Sequence, residues 1–206
     1  MAATSSCWRI GITACLMLGA CTFTPPPSAG PYGYVRIKAR TVAVADKAFH
    51  VTPTQPWNRF IVIMREASVI ENWTRDGPLL NQITYIGGLR EGLPLIRTEV
   101  PSPTGAFRAD MKPEDLAPLL ERFFRDRGQV QRYVVTAQSP ASFLGGDGIQ
   151  VEFEYTSEDE VPRRGSCVMA IINRRLYAMM LAGEASHYFG SVEQEYREMV
   201  ASATRK

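Results

Sequence analysis

Histidine is almost missing from this chain: 206 residues contain two, His50 and His187, far apart in sequence. Cysteine is also scarce, and three of the four, Cys7, Cys15 and Cys21, fall within the first 21 residues. Cys167 is the only one left for the body, so no intramolecular disulfide is expected there, and with two distant histidines and one thiol no zinc site is expected. Charge of one sign is lacking too. With 23 basic against 21 acidic residues, interspersed, the net charge is +2, and nothing resembles the basic stripe of a nucleic-acid binder. Beyond Ala20 no apolar run is long enough to span a bilayer.

What is present begins at the N-terminus. Arg9 is followed by an uncharged apolar run, Ile10 to Ala20, of roughly eleven residues, the layout of a signal peptide and too short for a transmembrane helix. It closes on Leu18-Gly19-Ala20-Cys21. A branched residue at −3 and small residues at −2 and −1 before cysteine are what a lipoprotein peptidase needs to seat the chain. Cleavage is therefore expected between Ala20 and Cys21, with Cys21 lipidated. Ile12-Thr13-Ala14-Cys15 has the same form but leaves too little apolar run after Arg9. An ordinary secretory signal cut by the general peptidase, or a buried N-terminal helix, is the competing reading. By resemblance to bacterial lipoproteins Cys21 carries a diacylglycerol and an N-acyl chain, a firm anchor because each buried methylene adds about 0.8 kcal/mol. Thr22, where inner-membrane retention in enteric bacteria usually has Asp, points to the outer membrane, periplasmic side.

Residues 1–20 are thus read as signal peptide and 21–34, rich in Pro and Gly, as an extended tether. Residues 35–206 are read as one domain of a size that buries a real core. Thr41–Val44 and Ala48–Val51 flank Asp46-Lys47 as a hairpin; Val69–Thr74 and Leu79–Ile86 flank Arg75–Pro78 as another. Gly87-Gly88 to Pro103 reads as a long loop. Leu116, Leu119, Leu120, Phe123 and Phe124 form one helical stripe, capped by Asp110 or a neighbour, with Pro118 calling for a kink or a preceding short turn. Val130–Ala137, Ile149–Tyr155, Ser166–Ile172 and Leu176–Ala182 read as strands, the last two joined by a tight turn at Asn173-Arg174. A final helix has Ser191 and Gln194 as a capping box and Val192, Tyr196, Met199, Val200 and Ala203 as its apolar stripe. Hairpins, helix, strands, helix make an α+β fold: a largely antiparallel sheet with amphipathic helices on its faces.

Several short motifs recur in this order in a known group: Trp57-Asn58, Trp73-Thr74-Arg75-Asp76-Gly77, Leu80-Asn81-Gln82-Ile83 and Met111-Lys112-Pro113-Glu114-Asp115-Leu116, then Leu144-Gly145-Gly146-Asp147-Gly148, Arg164-Gly165, Leu176-Tyr177 and Tyr188-Phe189. The chain resembles the PsbP-like superfamily (PsbP/Mog type), which includes several bacterial lipoproteins. The resemblance implies an α/β/α sandwich and a chiefly non-enzymatic role, with a partner that differs from member to member.

No catalytic, metal or cofactor motif follows. Cys167 shares parity with Met169 and Ile171 and reads as a buried strand thiol rather than a nucleophile. Glu152 and Glu154, near Asp147, share the polar face of one strand and read as solvated, with paired-carboxylate chemistry the alternative. Arg163-Arg164 and Arg174-Arg175 read as solvated turn residues, and Trp57, Trp73 and Tyr85 as core or rim aromatics. Two functions stay open: a lipid-anchored, monomeric, non-catalytic binding or accessory module with an envelope protein partner, or a periplasmic hydrolase using carboxylates or a Ser/His pair built on His50 or His187.

Overall fold

The computed structural model describes residues 32–62, 69–95, 106–126 and 130–205. Cys21, Ala20, the signal peptide and most of the tether lie outside them. Strands β1 (Tyr32–Ile37), β4 (Trp57–Val62), β5 (Ile70–Thr74) and β6 (Asn81–Leu89) come from the first half of the chain. β7 (Val130–Phe143), β8 (Gly146–Ser157), β9 (Pro162–Ile172) and β10 (Arg175–Glu184) come from the second. Together they form one eight-stranded sheet in the order β1-β4-β5-β6-β10-β9-β8-β7. Every pair in it is antiparallel. β2 (Val42–Val44) and β3 (Phe49–Val51) make a separate hairpin. The helices are α1 (Leu116–Asp126) and α2 (Gly190–Ala201). The expected α+β class is what the chain adopts. No helix of the described residues is long and apolar enough to cross a membrane.

The sheet is buried on both sides because alternate residues of its central strands feed two cores. Ile149, Val151, Phe153, Cys167, Met169, Ala178 and Met180 face α1, whose five stripe residues are all buried against them. The opposite parity, Val168, Ala170, Met179 and Leu181, meets α2 and the β2–β3 hairpin through Val192, Tyr196, Met199, Val44 and Phe49. Trp57, Trp73 and Tyr85 are fully buried in this second core. Buried on both faces, the central strands read as apolar runs rather than clean alternations.

Turn chemistry agrees with the residue types. Asn173 and Arg174 both have positive φ (50° and 61°), as a two-residue hairpin with the native twist requires. Leu144 and Gly145 (54° and 79°) do the same between β7 and β8. Pro118 lies in the first turn of α1, where its missing N–H has no intrahelical partner to lose. A 3-10 turn, Pro113–Asp115, precedes it as the short-turn alternative required.

Five local readings need correction. The cap before α1 is not Asp110, which pairs with Arg108; the Asp115 carboxylate accepts from the Lys112 backbone N–H at 2.9 Å. Ser191 does not cap α2, since its hydroxyl donates to the Tyr188 carbonyl. Instead Glu184 accepts the backbone N–H groups of Ser186, His187 and Tyr188 in the turn leading into α2. Those donors, with the Ser186 hydroxyl foremost, hold the Glu184 carboxyl down at about 2. β1 begins at Tyr32, inside the segment read as tether. β7 runs six residues past Ala137 and tolerates Pro140 because it is an edge strand.

The fifth concerns Gly87-Gly88, which belong to β6 and not to a loop. A Cβ on Gly87 would come within 2.4 Å of the Ala48 Cβ and 2.7 Å of the Ala45 carbonyl. The glycine is there so that the β2–β3 hairpin can lie directly on the sheet.

Candidate functional site

The residues considered for catalysis are not brought together. His50 sits on β3, its backbone paired with Thr204, while His187 is exposed and edges the Tyr188 ring at 5.0 Å. Glu154 is exposed. Glu152 is half-buried and tied into structure: Ser166 Oγ donates to it at 3.1 Å, Gln150 Nε2 at 3.2 Å, and Arg197 of α2 lies 3.8 Å away. Its role is to join β8, β9 and α2. Cys167 is buried, and burial pushes its thiol far above the ordinary range, opposite to what a nucleophile needs. Among the described residues no three His, Cys, Asp or Glu side chains converge as a metal site.

A cleft of about 500 Å³ lies on the α1 face of the sheet. Its origin is a switch in residue type along β5 and β6. The facing pair Ile70 and Ile86 packs into the first core, but the next pair on the same face is Asn72 and Thr84. Helix α1, about 16 Å long at 1.5 Å per residue, does not extend over that polar stretch. Thr84 Oγ1 donates to Asn72 Oδ1 at 2.8 Å, and Gln82 Nε2 bonds both at 3.1 Å, so the floor is a satisfied amide and hydroxyl ladder. Met180 and Ala182 of β10 continue it.

One wall is aromatic. Phe124 at the end of α1 meets Tyr155 of β8 with ring centroids 4.7 Å apart. The other is the β8–β9 turn, with Ser157, Glu158, Asp159 and Arg163. Arg163 was expected to be solvated. It is buried, and its two terminal nitrogens donate to the two Asp159 oxygens at 2.8 and 2.5 Å. The guanidinium holds the Asp159 carboxyl at about 2, and the carboxylate raises the arginine in turn. The rim is Pro78 and Leu79, and Leu79 is 72% exposed, the largest exposure of any sizeable apolar side chain described. Ser157 has neighbouring carboxylates, but neither histidine lines the cleft, and Glu152 and Glu154 project from the opposite face.

The opposite face is held by two similar clamps. Glu195 of α2 accepts from the Gln55 and Thr54 backbone N–H groups at 2.8 and 3.1 Å and from Trp57 Nε1 at 3.1 Å, and pairs with Arg75. Arg75 also lies over the Trp57 ring at 4.8 Å. Glu71 of β5 repeats the pattern with Arg59 at 2.6 Å, Trp73 Nε1 at 2.6 Å and the Ala45 backbone N–H at 2.9 Å. Each tryptophan is thus buried with its indole N–H satisfied by a carboxylate. Glu195 follows the buried Val192 by three residues; that phase is the signal that marks it in sequence.

No protein-family description matches the chain, and no curated protein matches it. Among solved structures it is similar to cyanobacterial PsbP (CyanoP) from Synechocystis sp. PCC 6803, determined in solution. The TM-score is 0.53 over 92% of this chain and 99% of that one, at 12% sequence identity. The fold is PsbP-like. At that identity the likeness carries the PsbP-like architecture and no residue role.

Proposed function

We propose that this chain is a lipid-anchored lipoprotein of the bacterial envelope, facing the periplasm from the outer membrane. Its PsbP-like domain is a monomeric, non-catalytic binding module that engages an envelope protein through the cleft beside α1. The observation that carries the binding reading is the lining of that cleft. Its strongest charges, Arg163 and Asp159, already neutralise each other, and its floor amides are bonded among themselves. It therefore offers an aromatic wall, a polar floor and an exposed Leu79 rather than a reactive group. A photoactivatable side chain at Leu79, introduced into the full chain in intact cells, is expected to give one dominant protein adduct. The same group at Gln194, exposed on the far side, gives none. Equal adducts at both positions, or none at Leu79, would count against the cleft.

The anchor reading rests on the sequence around Cys21. Cys21→Ser is expected to abolish incorporation of a labelled fatty acid and leave uncleaved precursor, whereas Cys15→Ser changes neither. Label persisting in the Cys21→Ser protein overturns the assignment.

A further inference from the structure

We propose that the β1 edge of the sheet is a membrane-docking surface for anionic lipid headgroups, laying the domain against the bilayer that holds its anchor. The inference rests on the reading of Cys21 as the lipidated residue and adds to it a surface of the folded domain. Tyr34 is 51% exposed, and its ring meets that of Phe60 of β4 at 5.6 Å, tilted by 60°. Arg36 follows on the same face of β1, and Lys38 and Arg40 lie in the segment just beyond the strand, all three exposed. Among the described residues, no carboxylate pairs with any of the three.

Among the described residues, the neighbouring strand positions on that face carry no carboxylate. The same-facing residues opposite them, in register across β4 and β5, are Asn58, Phe60, Asn72 and Thr74. Glu71 of β5 points to the other side, where Arg59 holds it. A tyrosine flanked by long cationic side chains suits the headgroup boundary, where the ring buries its body and the cations snorkel to phosphate. The tether decides which surface is meant. From Cys21 to Tyr32 is about eleven residues, which extend to at most about 40 Å. β1 is thus the part of the domain held closest to the lipid, at a high effective concentration. β1 is also the outermost strand of the sheet.

The test uses the full mature chain in vesicles of phosphatidylethanolamine and phosphatidylglycerol, compared with vesicles of neutral phosphatidylcholine. Amide hydrogen exchange is followed over residues 33–41. Each cation at an anionic surface is worth roughly fivefold, so three give about a hundredfold in the docked to undocked ratio. Exchange over 33–41 is expected to slow strongly on the anionic vesicles only, and the protection is expected to fade in high salt. The triple variant Arg36→Glu, Lys38→Glu, Arg40→Glu is expected to lose it, while exchange in β8 stays unchanged and reports that the variant is folded. The salt titration of the unmodified chain tests the same point without any substitution. The intact mass of the vesicle-bound chain reports acylation separately. An unmodified Cys21 overturns the anchor and the docking together. An acylated Cys21 with exchange over 33–41 equal on both vesicle types overturns the docking alone.

Discussion

Replacing Glu195 with alanine is expected to destabilise the protein by about 3 kcal/mol, because it strips a buried indole N–H, two backbone N–H groups and an arginine of their shared acceptor. Glu195 is 7% exposed and serves Thr54, Gln55, Trp57 and Arg75 at once. Trp57 is fully buried, so its indole has no water to turn to. Arg75 is 26% exposed on its side chain and recovers part of its loss by hydration. Glu195→Gln keeps an oxygen for the three N–H donors but turns an amide NH2 toward Arg75, so it gives up the charge and that one hydrogen bond. It should cost about 1 kcal/mol, the ordinary worth of a pair with a partly solvated arginine. Urea denaturation of both variants measures the difference. An alanine variant within half a kcal/mol of the parent would mean that the clamp adds nothing to stability.

Phe153→Ala is expected to cost about 3–5 kcal/mol, at the upper end of that range. The ring is 1% exposed, stacked on Tyr133 at 5.2 Å and packed on Phe124 at 4.9 Å. Its register partner on β9 is Gly165, and a Cβ built there would lie 2.0 Å from the end of the Phe153 ring. The ring therefore covers the glycine, and once it is gone no side chain opposite can fall into the space. A double-mutant cycle makes this specific. Gly165→Ala alone should destabilise through overpacking, yet in the Phe153→Ala background it should recover part of the loss. Thermal melts of the four proteins decide it; additive losses would place the ring somewhere other than over Gly165.

Elements whose residues obey one period were legible in the sequence. Ile149, Val151 and Phe153 alternate and are buried, and the α1 stripe keeps its helical spacing. β4 was missed because Arg59 occupies a core-facing position, made tolerable by Glu71 from a strand that sequence spacing does not connect to it. β1 was missed because an edge strand with exposed Tyr34 and Val35 shows no buried parity. Gly87-Gly88 read as loop because glycine usually breaks strands, whereas at Gly87 the packing of a remote hairpin demands it. The cleft has no linear signature at all. Its floor comes from β6 and β10 and its walls from α1, β8 and the β8–β9 turn, and only the change from Ile70 to Asn72 on one face hints that cover ends there.

The strand order has a kinetic side. β1, β4, β5 and β6 close among themselves, and β7 to β10 form a meander through short turns, so each half is built from local contacts. The two halves meet along one seam, β6 against β10, whose partners lie about ninety to a hundred residues apart in the chain. Loop-closure entropy for that seam must be met before its hydrogen bonds form, which sets it late in folding. A chain folding from its N-terminus would hold β6 with one edge unpaired until β10 is in place. Gln82 and Thr84 put polar side chains on one face of β6, bonded to each other in the folded protein.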